Sequence, residues 1–155
     1  MHQLNIKPFV NSTKNTFQTM FNLHVEQVEL QDNLKNTYDI SATINLTGNL
    51  MGAIFLSFDK ETACLVTNTM LEENFSDLND TVKYTIAEII NIIVGGVKAI
   101  LEEEGIITSL SLPGVITGSD YNITYPKDMN LINIPFFIES AEKYFILGIC
   151  VKTQA

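Results

Sequence analysis

Apolar residues recur along this chain with two different periods, and the switches between them divide it into elements. Residues 2–6 read as a short strand. From Pro8 the spacing becomes three and four, placing Phe9, Thr13, Phe17, Met20 and Phe21 on one face of a helix that Pro8 opens and Asn22 ends. His24 to Leu30 interleaves Val25, Val28 and Leu30 with polar residues and reads as a strand of imperfect alternation. A cleaner alternation follows, with Tyr38, Ile40, Ala42, Ile44 and Leu46 facing one way and Asp39, Ser41, Thr43 and Asn45 the other. Thr47, Gly48 and Asn49 then reverse the chain into Leu50–Phe58, a more continuously apolar run suited to the inside of a sheet.

Asp59 is a good N-cap for a helix carrying Ala63, Val66, Thr67 and Met70 toward the core. The polar stretch EENFSDLND leads to Asn79 or Asp80 as the cap of a second, longer helix, which runs to about Glu104 and is stopped by Gly105. At roughly 25 residues that helix is about 38 Å long. Pro113 and Gly114 break the chain before a strand near Val115 to Thr117. Two β-rich runs, Asn130–Glu139 and Lys143–Val151, form a hairpin about Ser140, Ala141 and Glu142, and Pro135 suits an edge strand or a bulge. The pattern predicts an α+β fold, a mostly antiparallel sheet with two long helices over one face, because hairpins dominate and few βαβ crossovers are available.

The long helix carries the chemistry. Turning about 100° per residue from Tyr84, its sequence puts Glu88, Asn91, Gly95, Lys98 and Glu102 within roughly 40° of one line. Ile86, Ile89, Ile90, Ile93, Val94, Val97, Ile100 and Leu101 fill the opposite arc. The simplest account of the polar stripe is the solvated side of an amphipathic helix. Against it stand Asn91, a poor helix former, and the Gly95-Gly96 pair, which costs on the order of 1 kcal/mol per glycine relative to alanine. Something packs closely near 91 and 95, either another helix of the same fold or a partner.

Composition narrows the choice. A chain of 155 residues is a natural size for one domain, 1–155, and is long enough to bury a substantial core. Nine Lys and Arg against eighteen Asp and Glu give a net charge of -9, which opposes phosphate backbones and anionic membrane surfaces. Cys64 and Cys150 lie in apolar runs away from metal-ligand spacing and read as free thiols in a reducing compartment. Glu88, Asn91 and Lys98 interrupt the longest apolar segment, which falls short of an uninterrupted membrane span. The expectation is a soluble cytoplasmic protein. His2 and His24 have no Ser or Cys partner at recognisable spacing, and Gly95-Gly96 lacks the Lys-Ser/Thr of a phosphate loop.

Glu88 and Asn91 in AEIINIIVGGVKAIL, with Pro113 about twenty residues on, resemble the Glu-x-x-Asn signature of the CheC, CheX and FliY chemotaxis phosphatases. The CheX branch fits best: it has a single copy of the signature, and its opening pattern is echoed by Ile6, Pro8, Phe9, Thr13, Phe17 and Met20. One position departs, Tyr84, where the related signatures usually carry Asp or Ser. The resemblance implies removal of the phosphoryl group from the aspartyl phosphate of a CheY-like response regulator. Asn91 would hold the attacking water, and Glu88 would pair with the lysine that such regulators keep beside their phosphate. Tyr84, Gly95 and Lys98 would meet the partner, while Pro113 shapes the turn after the helix.

No carboxylate cluster here looks like a metal cage, so the Mg²⁺ that neutralises phosphate charge is expected from the regulator. The resemblance also implies a homodimer joined through sheet edges. Two other readings stand beside the phosphatase. One is a CheX-fold module that docks a regulator without hydrolysing anything. The other is a purely structural stripe, which requires Asn91 to be buried by its own chain or a dimer mate.

Overall fold

The computed structural model describes residues 4–29, 38–118, 121, 123–124 and 126–154. These form three helices, α1 (Lys7–Phe21), α2 (Lys60–Leu71) and α3 (Asp80–Glu103). The strands are β1 (Val25–Gln27), β2 (Ile40–Gly48), β3 (Leu50–Phe58), β4 (Thr108–Leu110), β5 (Gly114–Thr117), β6 (Asn130–Ile138) and β7 (Lys143–Thr153). They make one antiparallel sheet in the order β1-β6-β7-β3-β2-β4, with β5 also pairing with β2. The α+β fold and the antiparallel sheet expected from the hairpins are both present, with the three helices read from the sequence packed on it.

Alternation selects the buried face. Ile44 of β2 pairs with Ile54 of β3, which pairs with Ile149 of β7, and all three are buried beneath the helices. The same face carries Phe145, whose ring stacks on Phe17 of α1 at 4.6 Å between centroids, and on Phe58 and Phe136 at 5.2 Å each. That aromatic stack fastens α1 to the middle of the sheet. On the opposite face Ser41 is not solvated, as its place in the alternation suggests. It is fully buried, with Ser57 Oγ at 2.6 Å and the Tyr121 hydroxyl at 2.5 Å.

Several boundaries differ from the sequence reading. Residues 4–6 are not a strand: the chain is already turning into α1, with Ile6 in helical geometry at the N-cap and the Asn5 side chain accepting from Lys7 N. Residues 2 and 3 lie outside the described residues, as does Leu30; the strand expected over His24–Leu30 is shorter, β1 spanning Val25–Gln27 with His24, Val28 and Glu29 outside it. β4 escaped notice because Thr-Ser-Leu is too short to show a period. Pro135 sits neither in a bulge nor on a free edge. β6 is flanked by β7 on one side and β1 on the other, and Pro135 pairs with Ile146. Its carbonyl accepts from Val28 N, just past the last β1 pair. In an antiparallel ladder the N–H and C=O of one residue face the same neighbour, so the missing N–H falls on that frayed side and the β6–β7 ladder loses no bond.

Helix ends follow their expected chemistry. Asp59 and Asn79 cap α2 and α3 by accepting from Thr62 N at 2.7 Å and Val82 N at 2.9 Å. Beyond Glu104 the chain turns at Gly105, whose φ of 80° needs a residue without a side chain. The β2–β3 reversal then clasps the returning chain. Asn49 donates its backbone N–H to Ile107 O and accepts from Ile107 N through its side chain, both at 2.9 Å, while its carbonyl takes Gln154 N at 2.7 Å.

Between α1 and α3 the contact is closer than side chains ordinarily allow. Ser12 is buried and donates its hydroxyl to Ile93 O at 2.6 Å. A Cβ on Gly96 would lie 2.5 Å from the Ser12 Oγ. Gly96→Ala therefore gains helix propensity but drives the hydroxyl off its acceptor, for a net loss of about 1 kcal/mol. Adding Ser12→Ala removes the displaced hydroxyl and should recover most of that loss. Denaturant unfolding of both single mutants and the double mutant reads the coupling, and strictly additive effects would contradict it.

Candidate active site

α3 holds its apolar arc down and its polar stripe up. Val82, Ile86, Ile89, Ile90, Ile93, Val94, Val97 and Leu101 are buried against the sheet and the other helices, at about 1.5–3 kcal/mol each in gross transfer terms. Ile100, assigned to the same arc, is only half-buried. By length and composition α3 could cross a membrane, but in this fold its apolar side is taken up by the core.

On the other side Tyr84, Glu88 and Asn91 are exposed, Tyr84 at 74%, and Gly95 and Lys98 are partly so. Glu88 and Asn91 stand one turn apart and make no side-chain hydrogen bond or ion pair among the described residues. Asn91 is thus not buried by the described part of its own chain, which removes the internal-contact reading there. Lys98 pairs with Glu102 one turn on, so its ammonium is not free; an exposed i,i+4 pair of this kind contributes about 0.3–0.5 kcal/mol.

The two glycines separate. Gly96 answers to Ser12, a residue the sequence reading passed over although Ser12 falls three positions after Phe9 on the buried side of α1. A Cβ on Gly95 would meet nothing within 4 Å. Pro113 is not on the stripe. It is half-buried in the link between β4 and β5, where Asn45 and Ser111 exchange two hydrogen bonds and a Cβ on Gly114 would press on Thr43 Oγ1 at 3.3 Å.

The remaining polar groups stand apart from the stripe. His24 lies on the surface beside Glu26 and Glu139, at 2.6 Å and 3.7 Å, and His2 is outside the described residues. Lys14 beside Glu26 holds that carboxyl below its usual range. Among the described residues no cluster of three or more His, Cys, Asp or Glu side chains is placed to hold a metal ion. A groove of ≈ 540 Å³ at the start of α2, lined by Asp39, Asp59, Lys60, Cys64, Asn68 and Phe75, includes no residue of the stripe.

Cys64 and Cys150 are free and buried, and burial pushes both thiols up, as it pushes the Tyr38 phenol up to about 12. Neither thiol is an activated nucleophile. In the native protein both should resist iodoacetamide near neutral pH and react quickly once denatured. Mass spectrometry of timed samples checks this, and rapid native modification of Cys64 at pH 7 would contradict it.

Glu88 and Asn91 thus stand side by side on an exposed helix face, outside the groove beside α2. Comparison places it. The family model for the chemotaxis phosphatase CheX matches residues 40–137, and the chain belongs to that family. CheX of Vibrio vulnificus is similar over 95% of both chains, with 27% identity and a TM-score of 0.84. CheX of Desulfovibrio desulfuricans matches at 29% identity and a TM-score of 0.82, covering 95% of this chain and 98% of its own. The fold is also that of CheX in a CheX-CheY-BeF3-Mg²⁺ complex from Borrelia burgdorferi, with a TM-score of 0.81 at 24% identity over 95% and 97% of the two chains. No curated sequence relative matches.

Proposed function

We propose that this protein removes the phosphoryl group from the aspartyl phosphate of a CheY-like response regulator, with α3 as its half of the active site. The observation that carries the reading is the pair Glu88 and Asn91, exposed together and without partners among the described residues on the long core helix of a CheX-family chain. An amide is too weak a base to take a proton from water. It accepts a hydrogen bond from water and fixes its position, so Asn91 holds the nucleophile in line with the aspartate oxygen that leaves. The loose transition state of phosphoryl transfer lets positioning and electrostatics supply most of the acceleration.

Glu88 is the anchor, pairing with a lysine of the regulator in a charge-assisted bond. Its absence of an internal partner supports this, since nothing must be broken first. Tyr84, one turn before Glu88, adds an aromatic surface to the contact, and Lys98 with Glu102 extends it at the other end. On this reading the regulator supplies the Mg²⁺, consistent with the Borrelia complex, in which CheX, CheY, BeF3 and Mg²⁺ are present together. On the same reading the chain is one cytoplasmic domain that pairs with a second copy through sheet edges. In support, no strand among the described residues lies beyond β6 at Leu131–Ile134. Sedimentation showing only monomer at micromolar concentration would remove the dimer.

The central test follows phosphate loss from a phosphorylated CheY-type regulator. Wild type should hasten it. Asn91→Ala should lower kcat by roughly 100-fold or more with regulator binding nearly unchanged. Glu88→Ala should weaken binding by roughly 10- to 100-fold, as expected for a lost charge-assisted bond. Tyr84→Ala should raise KM while sparing kcat, and Tyr84→Phe should restore it. Binding without any acceleration by wild type would instead favour a docking module, the reading that Tyr84 in place of Asp or Ser supports.

A further inference from the structure

Asn91 stands between two small residues on its own helix face, Ala87 one turn before it and Gly95 one turn after. Residues at i±4 are the axial neighbours of a helical side chain, so these two positions decide how far Asn91 stands clear. Ala87 contributes one methyl group. Gly95 contributes nothing, and it lies near the middle of the stripe, between the directions of Glu88 and Asn91 and about 6 Å along the axis from Asn91.

The fold does not require that glycine. A Cβ at 95 meets open space, whereas one at 96 collides with Ser12. Nor does the backbone require it, since the described glycines with positive φ are Gly48, Gly52 and Gly105. A glycine inside a helix is less stable there than alanine. Position 95 therefore carries a stability loss that nothing within the described chain offsets.

We infer that Gly95 is a positioning residue for docking, resting on the reading that Asn91 enters a regulator's phosphate site. The bare backbone at 95 is the seat for the rim of that recess, and its lack of a side chain lets the Asn91 amide reach full depth. A side chain at 95 meets the rim first and holds Asn91 back. A misplacement of about 1 Å at the reacting centre lowers rate by on the order of 100-fold. Gly95 is selected for an empty volume outside the protein, and Gly96 for one inside it.

The test uses wild type, Asn91→Ala, Gly95→Ala and Gly95→Gln with a CheY-type regulator phosphorylated from acetyl phosphate. Rates are taken across regulator concentration, and thermal unfolding is followed for each variant. Gly95→Ala should raise the melting temperature by about 2–4 °C and lower kcat roughly tenfold, with Gly95→Gln lower still by about another tenfold. Gain of stability with loss of turnover is a result that a purely structural glycine cannot give. Should wild type hasten phosphate loss, Asn91→Ala abolish it and Gly95→Gln stay within about two-fold of wild type, the inference fails while the Asn91 reading stands. A fall in melting temperature for Gly95→Ala also overturns it. If wild type itself has no effect, the underlying reading fails and takes this one with it.

Discussion

Eight aliphatic side chains of α3, from Val82 to Leu101, enter the core together, and their burial fixes which way the rest of the helix can point. A 24-residue helix standing alone would present its polar residues in every orientation. Seated on the sheet and closed by α1 at Gly96, it has one. The direction of Glu88 and Asn91 is thus a consequence of core packing that involves neither of them. The stacked rings of Phe17, Phe58, Phe136 and Phe145 serve the same end from the other side, because α1 cannot hold α3 in place unless it is itself fixed to the sheet.

Such a site differs physically from one built in a cleft. The groove near α2 lies away from the stripe, whose Tyr84, Glu88 and Asn91 are exposed to water. On the proposed function, desolvation must therefore come from the regulator. What this chain brings is pre-organisation of the backbone: the helix is ordered before any encounter, so the entropy lost on association falls mainly on the exposed side chains. The net charge of -9 fits the same division, since an acidic protein is well suited to offer a carboxylate to a lysine and poorly suited to hold a phosphate by itself.

Much of this was legible in the sequence because the strong signals are periodic. The helix face of Phe9, Thr13, Phe17 and Phe21, though not the exposed Met20, the caps at Asp59, Asn79 and Gly105, the two hairpins and the arc of α3 apart from Ile100 follow from spacing and terminal chemistry. The stripe and its exposure followed too. Contacts across elements did not. Nothing in the order of residues says that Ser12 reaches Ile93 O, that Gly96 and not Gly95 accommodates it, or that Ser41 is covered by Tyr121. Short ladders such as β4 depend on a neighbour rather than a pattern, and Pro135 could sit between two strands only because β1 ends beside it. The family resemblance supplied roles for Glu88 and Asn91 that geometry alone leaves unassigned.

The clasp at Asn49 acts on the helix as a longitudinal stop. A helix held only by a greasy face can slide, and a slip of one residue moves every side chain about 1.5 Å along the axis and turns it by about 100°. Gly105 ends α3 and the chain returns at once to Ile107, which Asn49 grips by two hydrogen bonds from the tip of the β2–β3 hairpin. Stopped at this end, α3 works as a graduated rod whose marks cannot drift, and the position of Asn91 along the axis is set some twenty ångströms away, by one turn residue.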